Sequence, residues 1–445
     1  MNVLFEKLKE YAEFSAIIWN NKFYSYNELF IKYKEATTFL NLNSVNGGEV
    51  VSLIGDFTPN TIALLYALIQ NKNIIVPFNS TLKDSEQLKL DIACVQKTIT
   101  VNVVTDKYNI ELRENKGEHL LYETIRQRKN PGLVLFTSGT SGNPKGAVHD
   151  FSKLLEKFSI GRKSMRTVNF LLFDHWGGLN TMFHTLSNGG VVLTLPDRKP
   201  DSVCAFIEKH KIELLPASPT FLNLMLISEA NQRYDLSSLK LITYGTEPMP
   251  LSTLERLKKT FPTVKLQQTY GLIELGVMRS KSESDDSLWV KVGGEGFETR
   301  VNNGLLEIKA KSAMLGYLNA TSPFTVDGWF MTGDEVEVKG EYIKIIGRKS
   351  EIINVGGEKV YPQEVENIIQ ELDNIAEVTV YGQKNPLMGN IVCAKVRLIS
   401  PEEKKVFFAR LKNYCKGKMQ SFKIPVKIII EEELQFSERY KKKRQ

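Results

Sequence analysis

Between residues 49 and 216 the chain keeps switching period. Short apolar runs at 49–54, 73–78, 190–195 and 212–216 read as buried strands. Segments 59–70 and 202–210 between them read as helices, the first amphipathic. A strand that returns after a helix comes back parallel, because parallel pairs need a long crossover where a hairpin needs two residues. Such alternation commits the chain to a mostly parallel sheet with helices on its faces. From about residue 290 the texture changes to short strands and turns, as at 304–308 and 341–346. Beyond Gly347-Arg348 the order is helix (362–372), strand (376–381), strand (391–398) and helix (401–417). At 445 residues the chain exceeds one ordinary core. The expected class is therefore α/β: a large N-terminal region of mostly parallel sheets flanked by helices with a β-rich subdomain, then a small α+β C-terminal domain. The boundary is expected between 1–347 and 348–445.

The strand-like run Leu133-Val134-Leu135-Phe136 empties into Thr137-Ser138-Gly139-Thr140-Ser141-Gly142-Asn143-Pro144-Lys145-Gly146. Small hydroxyl residues, three glycines and one lysine after a strand can wrap N–H groups around phosphate oxygens, with the ammonium adding a point charge. Glycine serves there because the backbone must come close to the anion. The spacing is not that of a Walker A loop, and no Ser or Thr follows the lysine.

The excess of 58 Lys plus Arg over 51 Asp plus Glu gives a net charge of +7. That surplus suits polyanionic ligands such as nucleotides or coenzyme A, and no nucleic-acid-binding signature accompanies it. Cys94, Cys204, Cys393 and Cys415 are scattered without metal-site spacing, as in a reducing compartment. The first residues hold no signal-peptide core, and the longest apolar stretch, 62–69, is far short of a membrane span. A cytoplasmic protein, monomer or homodimer, with no membrane or nucleic-acid partner is expected.

Four more segments follow the loop in fixed order: Gly245-Thr246-Glu247-Pro248, Gln268-Thr269-Tyr270-Gly271-Leu272-Ile273-Glu274, Gly328-Trp329-Phe330-Met331-Thr332-Gly333-Asp334, and Gly347-Arg348 through Gly356-Gly357-Glu358 to Tyr361-Pro362. Together they resemble the adenylate-forming superfamily of acyl-CoA synthetases, firefly-type luciferases and peptide-synthetase adenylation domains, over nearly the whole chain. The resemblance implies ATP-dependent conversion of a carboxylic acid to an acyl-adenylate with release of pyrophosphate, then transfer of the acyl group to the thiol of coenzyme A. It implies that Thr137, Ser138, Gly139, Thr140, Ser141, Gly142 and Lys145 hold the β- and γ-phosphates and that Glu274 binds Mg²⁺. It further implies that Tyr270 stacks on adenine opposite Gly245, Thr246 and Glu247, beside Thr269 and Gly271, while Asp334 and Arg348 take the ribose. A mobile C-terminal domain would carry Lys441, within Ser437-Glu438-Arg439-Tyr440-Lys441, to the α-phosphate, and later exchange it for the Gly356-Gly357-Glu358 segment.

The chain departs from the family pattern at Ile273, where a Thr usually precedes the glutamate, and at Ser350, the hinge position. The lysine motif also differs, with Tyr440 for Gly and Ser437 for Thr. Asp174-His175-Trp176-Gly177-Gly178-Leu179-Asn180 aligns best with acyl- and aryl-CoA ligases, placing His175 beside the reacting carboxylate. His149 stands where the family often has a His after the phosphate loop. Pocket walls are expected from Trp176, Pro219-Thr220-Phe221 and 244–247, around a modest organic acid. Two alternatives stay open: a stand-alone enzyme that loads an acyl or amino acid onto a phosphopantetheinyl carrier protein, and a catalytically weak nucleotide-binding relative.

Overall fold

The computed structural model describes residues 2–80, 84–138, 143–195 and 197–432. Two seven-stranded sheets dominate the larger lobe. In the first, strands Gly132–Ser138, Ile74–Asn79, Val50–Gly55 and Lys97–Val101 run parallel. Antiparallel strands Pro144–Asp150 and Tyr108–Leu112 flank them. In the second, strands Lys265–Gln268, Leu241–Tyr244, Leu214–Ala217, Arg166–Val168, Val191–Leu193 and Ser15–Trp19 are parallel, with Lys22–Ser25 antiparallel at the edge. The alternating periods thus gave parallel sheets, as expected, with strand ends within two residues of the runs read from sequence.

The helix Pro59–Gln70 corrects one expectation. Thr58 caps it by accepting from the Thr61 N–H, and Pro59 supplies a preset first turn. It is not amphipathic: Pro59 and every residue from Thr61 to Ile69 are buried. Its apolar cluster includes Val51, Leu53 and Leu133 of the first sheet and Ile17 and Val192 of the second. A helix packed on both sides needs an apolar surface all round, which its Ile-Ala-Leu-Leu-Tyr-Ala-Leu-Ile sequence supplies.

A six-stranded antiparallel sheet follows, ordered Arg279–Ser282, Val290–Gly293, Tyr342–Arg348, Phe330–Lys339, Leu305–Ala310 and Phe297–Asn302. The chain then builds a separate sheet from Ile353–Val355, Glu358–Val360, Ile375–Asn385, Gly389–Leu398 and Lys427–Ile430, with helices Pro362–Gln370 and Lys404–Cys415. Residues between Ile353 and Ile430 share an apolar cluster of their own. Polar contacts tie this lobe back: Tyr361 Oη donates to Glu335 Oε2 at 2.5 Å, and Asn223 Nδ2 donates to the Ala376 carbonyl at 2.9 Å.

His149 sits inside the first sheet opposite Leu133 and is fully buried. Burial pushes its imidazole down to about 4, only partly opposed by the facing backbone of Ile273 and Ser312. The folded state therefore binds fewer protons than the unfolded chain between about pH 4 and the ordinary histidine value of 6.5. Stability from this group is complete above that window and falls as pH drops through it, with a limiting slope of about 1.4 kcal/mol per pH unit. Urea unfolding of the His149→Leu variant should show a smaller stability difference between pH 7 and pH 5 than the wild type. An unchanged difference would mean that this histidine is not held neutral.

Candidate active site

The candidate residues gather at the carboxyl ends of parallel strands, where open α/β sheets leave a crevice. Gly245, Thr246 and Glu247 follow strand Leu241–Tyr244, and Thr269 and Tyr270 follow strand Lys265–Gln268. The Thr269 N–H donates to the Tyr244 carbonyl at 2.7 Å, locking the two turns together. Position 245 accepts only glycine: a Cβ there would lie 2.5 Å from Thr269 Oγ1 and 2.6 Å from the Thr269 carbonyl oxygen. Thr246 is exposed, and its φ is +72°. A β-branched residue in that region is strained by roughly 1–3 kcal/mol. Glu247 is held by the Thr220 N–H at 2.8 Å.

Asp334 is the centre of the next group. It is 4% exposed, and its Oδ2 accepts from Tyr270 Oη at 2.5 Å while its Oδ1 accepts from Arg348 Nε at 3.1 Å. Asp334 and Arg348 face each other in neighbouring strands, so sheet register sets their pairing. The Asp334 N–H is held by Thr332 Oγ1 at 3.0 Å. Burial first, and then the neighbouring Asp334 carboxylate, raise the Tyr270 hydroxyl well above its ordinary value, so it stays a donor. Burial opposes the Arg348 charge, yet Asp334 and, more weakly, Glu274 hold its pKa above the usual value. Glu274 therefore belongs to the same electrostatic neighbourhood.

Glu274 has a partner that the sequence did not announce. Its Oε1 accepts from Tyr317 Oη at 2.6 Å. Lys145 Nζ stands 5.7 Å from the centre of the same Tyr317 ring. Strand Gly316–Tyr317 pairs with Pro144–Asp150, and Asn319 clamps the closing stem of the loop: it accepts from the Gly146 N–H at 3.1 Å and donates to the Pro144 carbonyl at 2.9 Å. Tyr317 and Asn319 were missed because these pairings span distant segments and leave no local spacing signal. Thr137 closes the strand Gly132–Ser138 in register with Lys145. Gly139, Thr140, Ser141, Gly142 and Lys441, expected at the phosphates, lie outside the described residues, as does the side chain of Ser138.

His175 caps helix Trp176–Ser187: its Nδ1 accepts from the Gly177 N–H at 3.0 Å, which leaves the ring proton on Nε2. Gly178 lets this helix start against the preceding turn, where a Cβ would meet the Leu172 carbonyl oxygen at 2.2 Å. Ile273, in place of the usual Thr, packs against two apolar clusters, which explains an aliphatic side chain there. Phe221, expected in a pocket wall, is instead fully buried against Phe170 with ring centres 4.3 Å apart. Its apolar ring is worth more in the core than at a wet wall.

Comparison with known proteins identifies the family and the fold. A family model described as "AMP-binding enzyme" matches residues 4–297, and one described as "AMP-binding enzyme C-terminal domain" matches residues 364–439. The chain belongs to the AMP-binding enzyme family. It is 26% identical to an indoleacetate–CoA ligase of Aromatoleum aromaticum, over 94% of this chain and 92% of that protein. It is 25% identical to a 2-succinylbenzoate–CoA ligase of Bacillus subtilis, over 96% and 93%. The o-succinylbenzoate CoA synthetase of Bacillus subtilis, solved with its acyl-adenylate intermediate, has the same fold (TM-score 0.80, 22% identity, 100% and 97% covered). So does an anthranilate CoA ligase solved with anthranoyl-AMP (TM-score 0.82, 20% identity, 98% and 94% covered).

The strain at Thr246 is open to measurement. Replacing it by glycine removes an exposed side chain and relieves the left-handed backbone, so Thr246→Gly should raise the urea midpoint or leave it unchanged, with a gain of up to ~1 kcal/mol. A clear fall would show that the threonine side chain carries packing the φ angle conceals.

Proposed function

We propose that this chain, as a member of the AMP-binding enzyme family, activates a carboxylic acid with ATP to an acyl-adenylate, releases pyrophosphate, and transfers the acyl group to the thiol of coenzyme A. The reading is supported above all by the way Asp334, Arg348, Tyr270 and Glu274 converge, although 64 positions of chain separate Tyr270 from Asp334 and a further 14 separate Asp334 from Arg348. Structural economy would pair the buried Asp334 once; two donors on separate segments instead give a preformed polar rim.

In this reading Asp334 accepts the ribose hydroxyls with the lone pairs that Tyr270 and Arg348 leave open, since a carboxylate offers about four acceptor positions. Adenine lies between the Tyr270 ring and the 245–247 turn, beside Thr269 and Gly271. The Thr137–Lys145 loop takes the β- and γ-phosphates, its closing stem steadied by Asn319. Glu274 is a hard oxygen donor oriented by Tyr317, which suits Mg²⁺ shared with substrate phosphates; bound there, the ion would neutralise phosphate charge. His175 steers the acid's carboxylate through Nε2–H toward the α-phosphorus for in-line attack. Lys441 neutralises charge on the pentacovalent phosphorus, and pyrophosphate leaves. The thiolate of coenzyme A then attacks the acyl carbon and AMP departs.

We take the chain as two domains, 1–347 and 348–445, the second rotating at Ser350 between the half-reactions. The cytoplasm supplies both ATP and coenzyme A, and we place the enzyme there, as a monomer or homodimer. No helix among the described residues is long and apolar enough to cross a membrane.

Pyrophosphate release with ATP, Mg²⁺ and a panel of acids tests the reading, followed by thioester formation on coenzyme A. Asp334→Asn should lower kcat/KM for ATP by about 100-fold. Lys441→Ala should depress adenylate formation by a similar factor while sparing thioester formation from supplied acyl-adenylate; equal losses in the two steps would remove Lys441 from its role. Pyrophosphate release without any thioester on coenzyme A would turn the acceptor into a carrier protein.

A further inference from the structure

A cavity of about 1050 Å³ opens beside helix Trp176–Ser187. Trp176, Asn180 and His184, four residues apart in sequence, present one face of that helix to it. Leu154, Phe158 and Val277 supply apolar wall. Thr269 and Gly276 also line it, so it borders the 268–274 segment on which the nucleotide reading rests.

The cavity's polar groups are unusual in sign. Lys157 Nζ donates to Asn180 Oδ1 at 2.6 Å and to the Val277 carbonyl at 2.9 Å, two of its three donors. Arg162 and Arg279 also line the space. Desolvation first, then the charges of Arg162 and Arg279, push the Lys157 ammonium down to about 8, although its side chain meets solvent inside the open cavity. Desolvation, Arg162 and Lys157 push His184 down to about 4, leaving it a neutral imidazole at physiological pH. The carboxylates nearby are spent at the rim: Glu156 on Lys153 at 2.7 Å, Glu341 on Lys291 at 2.6 Å and Glu295 on Arg279 at 3.7 Å. Among the described residues neither Lys157 nor Arg162 forms an ion pair. The buried indole N–H of Trp176 lies in the same wall, without a hydrogen-bond partner. Unpaired donors and mutually repelling cations beside apolar wall are costly unless an anion completes them.

We propose that this cavity is the acyl site, and that its acid carries a second anionic group held by Lys157 with Arg162 and Arg279, remote from the carboxylate that is activated. The substrate class is a dicarboxylic acid with an apolar or aromatic body, which the walls of Leu154, Phe158 and Trp176 receive. The inference rests on the activity proposed above and adds a specificity to it. The cations bind and orient; they take no part in the bond changes.

Matched monoacids and diacids test the inference: hexanoate against adipate, and 3-phenylpropanoate against its 2- and 4-carboxyphenyl analogues, each assayed by pyrophosphate release. The wild type should prefer the diacid of a pair by about tenfold or more in kcat/KM, because a site built for a charged group rejects the analogue lacking it. Lys157→Gln, of similar length but neutral, should erase most of that preference through KM for the diacid, leaving KM for ATP and coenzyme A unchanged. Arg162→Gln serves as the second variant, expected to act in the same direction. Equal use of monoacids and diacids by the wild type would overturn the second anionic group while leaving the activity intact. A rise confined to KM for coenzyme A would overturn it too, assigning the cations to the coenzyme's phosphates. Release with none of the acids would overturn the activity and this substrate class together.

Discussion

A buried carboxylate must be matched, and the structure matches Asp334 from two directions. One partner, Tyr270, extends the parallel sheet of strand Lys265–Gln268; the other, Arg348, ends the last strand of the antiparallel sheet. Losing either would leave charge stranded in a low-dielectric setting, at a cost larger than the pair's own net contribution. The end of strand Lys265–Gln268 and the hairpin of Phe330–Lys339 and Tyr342–Arg348 are thereby fixed relative to one another. The crevice between the parallel sheets and the antiparallel sheet inherits its shape from that junction. The root of the smaller lobe inherits its position as well, since Ile353–Val355 begins five residues after Arg348.

The second junction works through Tyr317. Its hydroxyl orients Glu274, its ring lies under Lys145, and its strand is hydrogen-bonded to the strand that closes the glycine-rich loop. One residue thus couples the acidic and the basic element of the candidate site. Neither coupling depends on secondary structure alone; both need a side chain delivered by sheet register from a distant part of the chain.

Much of the fold was legible because its signals are local. Thr58 and Pro59 mark a helix start, and Gly132–Ser138 announces itself by an unbroken apolar run before a loop. The reading of 59–70 as amphipathic failed because a single segment does not reveal that a second sheet covers its other side. Motif residues were legible as a set: Asp334, Arg348, Tyr270 and Glu274 come together. What could not be read were the partners, such as Tyr317, Asn319 and the Thr220 N–H that holds Glu247, since a pairing across 27 to 175 residues imposes no pattern on either end. The helix face of Trp176, Asn180 and His184 was readable in principle from its four-residue spacing, though only the folded chain brings Lys157 and Arg279 opposite it.

The smaller lobe has an apolar interior of its own and meets the larger one partly through side-chain hydrogen bonds such as Tyr361 to Glu335 and Asn223 to Ala376. Hydrogen bonds of this kind exchange readily with water and contribute about 1 kcal/mol each, whereas separating a shared greasy seam would demand far more. Were the smaller lobe to turn as proposed, these exchangeable bonds would give way first, and the apolar interior on either side would stay sealed.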